Sequence, residues 1–284
     1  MLTSIPSSRY FRGAYHAYVV AFFVYLAAPL TVVAVFAFND SLFPAMPWKG
    51  ATLDWFLGEK SPQLGIFHDT ELLESILVSL QVAVCTTIAS LALATCNAFL
   101  FERHDFPGKN LLYVLMLTPL VIPGVILGVS VLVFSSSIAN WVEETFSYDL
   151  EVLRPGLVLV VIGQFAFITT IATLVISARL RKFDVSLEEA ALNLGASHFD
   201  VLRTITLPFL KPALVGAGIV SFLMSFENFN TTLMLVGSDA PLTIAMFDRL
   251  REGSTPALNA VSLLLMAGSG GLAALSIFVR RKEE

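Results

Sequence analysis

The sequence predicts an all-α integral membrane protein that crosses the bilayer with six helices. Hydrophobic residues make up 56% of its 284 residues and charged residues only 14%, whereas a soluble domain carries roughly 25% charged residues. The charges are concentrated between long uncharged runs, and each run can supply the helix of about 20 residues that a hydrocarbon core of about 30 Å requires. Both observations argue against a soluble domain.

The six predicted spans follow the apolar runs in chain order. They cover residues 15–38, 73–100, 111–134, 155–178, 212–236 and 257–279. The first span follows Arg9 and Arg12 and is longer than the apolar region of roughly 7–15 residues in a cleaved signal peptide, so we expect it to be retained. Residues 1–284 are predicted to form a single transmembrane domain, with a long polar interruption at 179–211.

Lysine and arginine residues predict which side of the membrane each loop faces. The amino terminus, the turn near Arg103, the 179–211 segment and the carboxyl-terminal tail together hold 12 of them, and the loops on the opposite side hold 5. Cytoplasmic loops carry an excess of lysine and arginine. Both termini and the 179–211 segment are therefore predicted to be cytoplasmic.

Prolines and tryptophans mark two irregular places in the sequence. Pro119 and Pro123 lie inside the third span and predict a kink or a partly unwound segment. Such breaks occur where a helix faces other helices or a cavity, so plain packing and a gate-lining role both remain open. In the long first outer loop, Trp48 and Trp55 are expected to anchor the chain at the membrane interface.

The polar segment between the fourth and fifth spans has the pattern of two short helices joined by a glycine turn. Ser186 followed by Glu189 is typical of a capping box at the start of a helix, and Gly195 is a natural stop. Ser197 begins a second short helix, which Pro208 is expected to break. These features fit both an ordinary helical loop and an element that docks on something outside the membrane.

Seven positions of this segment match a known pattern. They are Glu189, Ala190, Ala191, Gly195, Ile205, Leu207 and Pro208, in the order E-A-A, three residues, G, nine residues, I, one residue, L-P. This pattern resembles the EAA loop in the membrane-spanning subunits of binding-protein-dependent ABC importers, and no position departs from it. The resemblance implies the type I ABC importer permease fold, with residues 179–211 as the coupling loop.

The resemblance also implies a role for each matched position. The first four would form the coupling helix and its turn, which docks in a groove of a cytosolic ATPase. The last three would anchor the loop to the fifth span. Closure of the ATP-bound dimer would then reach the spans as a rigid-body movement.

Stretches outside the loop extend the resemblance over nearly the whole chain. FNDS in the first outer loop, SFENFNTTLMLVG and PLTIAMFDRLREGSTPALNAVS are similar to polyamine-type permeases, in particular the second permease subunit of spermidine/putrescine importers. The resemblance implies a multi-pass protein of the bacterial cytoplasmic (inner) membrane. Its implied partners are a cytosolic ABC ATPase dimer, a second and different permease subunit, and a periplasmic or extracellular solute-binding protein. No nucleic acid is among them.

The most polar patch of any predicted span comprises Glu227, Asn228, Asn230 and Thr231. A charge inside a span costs a few kcal/mol and usually faces the bundle interior or a water-filled path. Glu227 could bond to neighbouring helices or to an interfacial base, or the four residues could line the path of a cationic or polar solute. In the spermidine/putrescine permease that the chain resembles, the family pattern has a pair of aspartates at the position of Glu227 and Asn228. A related small amine or another small organic solute therefore remains open beside a polyamine.

Other function classes find little support in the sequence. The four histidines and the two cysteines are His16, His68, His104, His198, Cys85 and Cys96, and they show no catalytic or metal-ligand spacing. No catalytic residue, metal site or cofactor is predicted. An ion-coupled secondary carrier would need charged residues in several spans, and only Glu227 is a convincing one. We therefore expect a transport subunit whose ATP is hydrolysed by separate partners, rather than an enzyme.

Overall fold

The structure is a computed structural model that describes residues 9–44, 46–60, 63–253 and 255–281; for 272, 273 and 275–281 only the backbone is described. Helices make up nearly all of this part of the chain. Its extended pairing is one isolated bridge between Asn39 and Ala51. The predicted all-α class is confirmed.

The helices follow one another with short connections. In chain order they are α1 (Arg9–Phe36), α2 (Asp54–Leu57), α3 (Thr70–Arg103), α4 (Lys109–Val121), α5 (Gly124–Phe146), a 3₁₀ turn (Glu151–Leu153), α6 (Leu157–Leu180), α7 (Ser186–Asn193), α8 (His198–Val201), a π-helical turn (Leu202–Thr206), α9 (Leu207–Phe226), α10 (Thr232–Leu235), α11 (Leu242–Glu252) and α12 (Pro256–Arg281).

Five helical segments of the described residues are long and apolar enough to cross a membrane. They are α1, α3, α5, α6 and the continuous segment His198–Phe226, which joins α8 to α9. The sixth predicted span, 257–279, coincides with α12, most of whose later side chains lie outside the described part. The expectation of several helices that are long and apolar enough to span a bilayer is confirmed, and the number six stays a prediction.

The predicted third span is broken. Helix α4 ends at Val121, Ile122 is extended with φ −76° and ψ 127°, and α5 begins at Gly124. Pro123 has no N–H to donate, and the residue before a proline is pushed out of the helical region. The expected interruption is confirmed, but a single span over 111–134 is wrong, because α5 continues to Phe146.

The predicted fifth span is shifted. Pro208 was expected to end a helix, yet it lies in the first turn of α9, directly after the π-helical turn. The N–H of Leu207 donates to the carbonyl of Leu202, five residues back. This wider turn accommodates a proline that has no N–H and whose ring would clash with the carbonyl four residues earlier. The helix runs on to Phe226 and stops there, so the predicted span 212–236 is wrong at both ends.

The chain is divided into two compact units. One comprises 71–248 and 269–284, and the other comprises 1–70 and 249–268. The expectation of a single domain over 1–284 stays a prediction.

The larger unit has a core where α3, α6 and α9 meet. Helix α6 contributes the most buried positions of the three. Small side chains on α3 allow the close packing of larger ones on α6 and α9. The buried cluster comprises Ala94, Ala98, Ala172, Ile176, Leu180, Phe183, Leu210 and Ala217.

The smaller unit contains a folded loop between α1 and α3 that is built around Trp55. Its ring is only 2% exposed, and its indole N–H donates to the carbonyl of Asn39 over 2.8 Å. Phe38 stacks on Phe56 beside it, with ring centroids 5.2 Å apart. Trp55 is therefore a core residue of this loop, and its predicted role as an interfacial anchor is wrong. Trp48, in contrast, is 43% exposed.

Helix α10 lies in close contact with α5 and α6, because glycines face it from both helices. A Cβ atom added at Gly128 would lie 2.9 Å from Cβ of Met234 and 3.0 Å from the carbonyl oxygen of Thr231. A Cβ atom added at Gly163 would meet the side chain of Leu235. Only glycine lets the backbone of α5 approach the segment before α10 this closely.

We expect Gly128→Ala to destabilise the protein by about 1–3 kcal/mol, because the added methyl group forces α5 away from Thr231 and Met234. The measurement is the Tm of the detergent-purified protein. Gly268→Ala is the matched control, since a Cβ there meets nothing within 4 Å and alanine favours a helix over glycine by about 1 kcal/mol. A Tm for Gly128→Ala at or above that of the unmodified protein would contradict the close packing.

Candidate functional site

Helix α7, the first helix of the 179–211 loop, is capped two residues earlier than predicted. It begins at Ser186, whose backbone N–H donates to Oδ1 of Asp184 over 3.0 Å. Hydrogen bonds from the side chain and the backbone of Ser186 lower the pKa of the Asp184 carboxyl. The capping box predicted for Ser186 and Glu189 is wrong, because Ser186 already lies inside the helix and Asp184 supplies the capping oxygen.

The end of α7 confirms the predicted glycine stop. Gly195 has φ +90°, its N–H donates to the carbonyl of Leu192, and the N–H of Ala196 donates to the carbonyl of Ala191. This is the Schellman pattern, which favours glycine at the left-handed position. Ser197 then caps α8 by accepting the N–H of Asp200 over 3.2 Å.

A half-buried acid attaches the loop to the rest of the larger unit. Oε1 of Glu188 accepts from Nη2 of Arg103, at the end of α3, over 3.2 Å and from the hydroxyl of Thr206 over 2.6 Å. The guanidinium carbon of Arg103 also lies 5.3 Å from the ring centroid of Phe183. Sequence reasoning selected Glu189 and missed Glu188. The signal in the sequence was Arg103. A basic residue at the end of an apolar run is expected to pair with an acidic residue.

Aromatic and charged contacts fix the start of the loop as well. Arg179 lies over the ring of Phe209 at 4.1 Å and donates to its carbonyl over 3.2 Å. Phe183 meets the same ring edge to face, with centroids 5.0 Å apart. Arg181 bonds to Glu102 over 2.8 Å. The loop is therefore a packed part of the larger unit.

The seven predicted coupling residues differ in how far they are exposed in the structure. Ile205 and Leu207 are half-buried, and Ile205 packs against the core cluster. Glu189, Ala190, Gly195 and Pro208 are exposed, and Ala191 is half-buried. Sequence reasoning missed three apolar side chains of the same loop that are more than half exposed: Leu187 is 52%, Leu194 89% and Phe199 67% exposed. We call these three side chains the apolar loop face.

The polar patch of the predicted fifth span lies where the helix is interrupted, between α9 and α10. Oδ1 of Asn228 accepts from the backbone N–H of Thr232 over 3.2 Å and from its hydroxyl over 3.0 Å. The carbonyl of Asn228 accepts from the hydroxyl of Thr243 over 3.0 Å. The hydroxyl of Thr231 donates to the carbonyl of Gly124 over 3.3 Å. Side chains thus replace the backbone partners that the break removes.

A cavity of about 320 Å³ lies beside this break. We call it the α4/α9 cavity, since the break after α4 forms one wall and the break after α9 the other. It is lined by Pro119, Leu120, Ile122, Gly124, Leu127, Phe167, Ile171, Met224, Asn228, Asn230 and Thr231. None of these lining residues is charged.

Three of the four predicted path residues, Asn228, Asn230 and Thr231, are brought together at this cavity. Glu227 is exposed and is not among its lining residues. Oε1 of Glu227 accepts instead from the hydroxyl of Ser269 over 3.1 Å. Among the described residues, no group of three or more His, Cys, Asp or Glu is placed to hold a metal ion.

A buried polar group behind the cavity was missed by sequence reasoning. The amide of Gln164 donates to the hydroxyl of Thr232 over 2.9 Å and accepts from the hydroxyl of Ser225. All three side chains are at most 3% exposed. The signal in the sequence was Gln164 itself, the one amide in the apolar run 155–178.

Comparison with known proteins decides the family. Residues 87–281, well over half of the chain, match the family described as "Binding-protein-dependent transport system inner membrane component". The chain belongs to this family. The permease match includes the whole 179–211 loop and every residue that lines the α4/α9 cavity.

Individual relatives are similar over most of the permease. The chain is 28% identical to the putrescine transport system permease protein PotI of Escherichia coli K12 over 267 residues, which cover 92% of this chain and 89% of PotI. It is 25% identical to the spermidine/putrescine transport system permease protein PotC of the same organism, covering 91% and 89%. A solved bacterial ABC transporter involved in the import of alginate has a chain of the same fold, with a TM-score of 0.72 at 15% identity, covering 95% and 94%. The chain is thus the permease subunit of an ABC importer.

The contacts of Glu188 predict a loss of stability when this side chain is removed from the permease. Glu188→Ala leaves Arg103 and the buried hydroxyl of Thr206 without their acceptor, which should cost about 1–3 kcal/mol. Glu188→Gln keeps an acceptor oxygen and should cost less. The measurements are the Tm in detergent and the rate at which a protease cuts the 179–211 loop.

Glu189→Ala is the matched control for this experiment. Glu189 is the neighbouring acid on the same helix but is exposed, so its removal should change stability by about 0.5 kcal/mol or less. Equal effects of the two alanine variants on Tm and on proteolysis would show that Glu188 does not anchor the loop.

Proposed function

We propose that this permease forms a solute path together with a second, different permease subunit and couples the path to a cytosolic ATPase dimer through the 179–211 loop. A periplasmic or extracellular binding protein delivers the solute, in keeping with the family description. The ATP is hydrolysed by the partner subunits. The observation that carries the proposal is a loop that is packed at both ends and yet presents an exposed apolar face.

The coupling role rests on the contrast between the anchored and the exposed side chains of the loop. Glu188, Phe183 and Arg179 are held by α3 and α9. The side chains of the apolar loop face are exposed, which is costly in water and typical of surfaces that bind a protein partner. A rigid element with an apolar face can receive a displacement from a partner and pass it to the helices that hold it.

The distribution of basic residues supports a cytoplasmic position for this loop. Five of the 12 lysines and arginines on the predicted inner side lie within 179–211. A cytoplasmic loop also places the apolar loop face where an ATPase can reach it. Both termini are then cytoplasmic in this inner-membrane permease.

The solute class that we propose is a polyamine or a related small amine. The names of PotI and PotC include putrescine and spermidine/putrescine, respectively. The similarity of this chain to both proteins covers most of its length. Glu227 lies next to the cavity-lining Asn228 in the sequence, and its carboxylate suits an ammonium group. We propose that Glu227 attracts the cationic end of the solute to the α4/α9 cavity.

A non-polyamine small solute is the second candidate, because the α4/α9 cavity has no charged lining residue. A multiply charged amine would find its carboxylate partners outside this cavity. The other alternative, an ion-coupled secondary carrier, is not retained, since the family is defined by transport that depends on a binding protein.

Two substitutions in the loop test the coupling role in the complete importer. Gly195→Asp and Glu189→Lys should lower both solute uptake and solute-stimulated ATP hydrolysis by about tenfold or more, because each changes the charge of the exposed side of the loop. The amount of permease in the membrane should not change. The measurements are uptake of labelled putrescine and spermidine, ATP hydrolysis, and the amount of ATPase that co-purifies.

Gly108→Asp is the matched control for Gly195→Asp. Both glycines have a left-handed φ, +87° and +90°, and an added Cβ meets nothing within 4 Å at either position. The backbone cost of aspartate, about 1 kcal/mol, is therefore the same at both. Persistent uptake in both loop variants, with the ATPase still co-purifying, would refute the coupling role. So would an equal loss of uptake in Gly108→Asp.

Neutralising Glu227 tests the attraction of cationic solutes. Glu227→Gln should lower the uptake of spermidine by about tenfold and that of putrescine by less, because a solute with more charges is attracted more strongly by a carboxylate. Glu144→Gln, which neutralises an exposed acid near the end of α5, is the control and should leave both rates unchanged. If Glu227→Gln preserves both the rates and the ranking of the two amines, Glu227 does not select the solute.

A further inference from the structure

The side-chain amide of Asn228 has a fixed orientation at the α4/α9 cavity. Its Oδ1 accepts both the backbone N–H and the hydroxyl of Thr232. A backbone N–H can only donate, so the atom that faces it must be the amide oxygen and not the nitrogen. Asn228 lines the cavity, and since its Oδ1 and its backbone carbonyl are both occupied, its amide nitrogen is the side-chain group that remains to meet a solute.

A directed chain of buried hydrogen bonds maintains this orientation. The hydroxyl of Ser225 donates to the carbonyl oxygen of Gln164, the amide of Gln164 donates to the hydroxyl of Thr232, and that hydroxyl donates to Oδ1 of Asn228. Every donor in this chain points the same way, so each bond polarises the next. The hydroxyl of Thr232 has a single hydrogen. Since its oxygen accepts from Gln164, this hydrogen is available to donate to Oδ1 of Asn228.

Burial makes this chain costly to rearrange. Gln164 is 1% exposed, Ser225 3% and Thr232 0%, so a polar atom left without its partner there cannot turn to water. Gln164 bridges α6 to both sides of the break, since Ser225 belongs to α9 and Thr232 to α10. It thereby sets the geometry of the interrupted segment without being among the cavity-lining residues.

We propose that Gln164 is a positioning residue that holds the amide N–H group of Asn228 toward the cavity, so that the permease selects a solute carrying a hydrogen-bond acceptor oxygen. The inference rests on the proposed role of the cavity as the solute path and narrows its solute class. The solute is then a small amine with an oxygen group, such as a carboxylate, carbonyl or hydroxyl. Its ammonium group is attracted by Glu227 and its oxygen accepts from Asn228.

Two probe solutes of similar length distinguish recognition of the ammonium group from recognition of the oxygen group. Putrescine has an ammonium group at each end, whereas 4-aminobutyrate has one ammonium group and one carboxylate. The quantity measured is the ratio of 4-aminobutyrate uptake to putrescine uptake in cells that express the complete importer, together with ATP hydrolysis. A merely structural role of Gln164 would lower both uptakes together and leave this ratio unchanged.

Substitutions at Thr232 provide the matched pair. Thr232→Val keeps the shape and the backbone N–H bond to Asn228 but removes the hydroxyl that joins Gln164 to Asn228, so that the amide of Asn228 is held by one bond instead of two. It should lower the ratio about three- to tenfold, as expected for one or two lost hydrogen bonds. Gln164→Leu should have the same effect. Thr232→Ser keeps the hydroxyl and should keep the ratio of the unmodified importer. Thr169→Val, which removes a buried hydroxyl with no hydrogen-bond partner within the described residues, should also keep it.

Asn228→Asp removes the amide N–H group that Asn228 offers to the solute but keeps the bonds to Thr232 that support the interruption between α9 and α10. The new carboxylate still accepts both bonds from Thr232 but offers no N–H group to the cavity. The ratio should fall at least as far as in Thr232→Val, because a carboxylate repels 4-aminobutyrate and favours putrescine.

Several outcomes would overturn the inference. One is a ratio that stays unchanged in Asn228→Asp and Thr232→Val at normal amounts of permease. Another is an unmodified importer that transports putrescine but no 4-aminobutyrate. If neither solute enters by an ATP-dependent route, the proposed solute class is wrong and the inference fails with it. If both enter and Gly195→Asp leaves both rates intact, the coupling proposal fails while the selectivity result stands on its own.

Discussion

An interrupted helix in an apolar bundle must find new partners for its backbone groups, and much of this structure follows from that constraint. At the end of α9 the partners are side chains. Oδ1 of Asn228 accepts from the N–H of Thr232, and the hydroxyl of Thr231 donates to the carbonyl of Gly124 at the start of α5. The second of these bonds joins the two breaks. Their meeting leaves the α4/α9 cavity between them, with polar side chains on an otherwise apolar wall.

Helix α9 connects the loop to the cavity as a single element. It begins at Leu207, next to Thr206 and the contact with Glu188, and it ends at Phe226, two residues before Asn228. Its 20 residues span about 30 Å at about 1.5 Å per residue. Because α9 packs along α6 through Leu210 and Ala217, a displacement of the loop would reach the cavity with the helix moving as a body.

The sequence predicted the helical class, the break at Pro123 and the end of α7 at Gly195, since each follows from local rules about hydrophobic length, proline and glycine. It did not predict where the fifth span begins or ends. A π-helical turn allowed Pro208 to stay inside the helical segment, and side chains distant in sequence, such as Gln164, supported the break after Phe226. Contacts between residues far apart in the chain leave no local pattern. For the same reason Trp55 was expected at an interface, although a carbonyl 16 residues earlier holds it in a core.

The two neighbouring acids of α7 show how one short helix serves two sides. Successive residues of a helix point about 100° apart, so Glu188 and Glu189 cannot share one environment. Glu188 faces inward, and its oxygen is held by Arg103 and Thr206, while Glu189 stays exposed. If both acids faced a partner, α7 would lose its bond to Arg103 of α3, and the loop would keep only the contacts with α3 at its start, such as Arg181 with Glu102. The inward acid thus ties α7 itself to the bundle while the outward acid stays free to meet a partner.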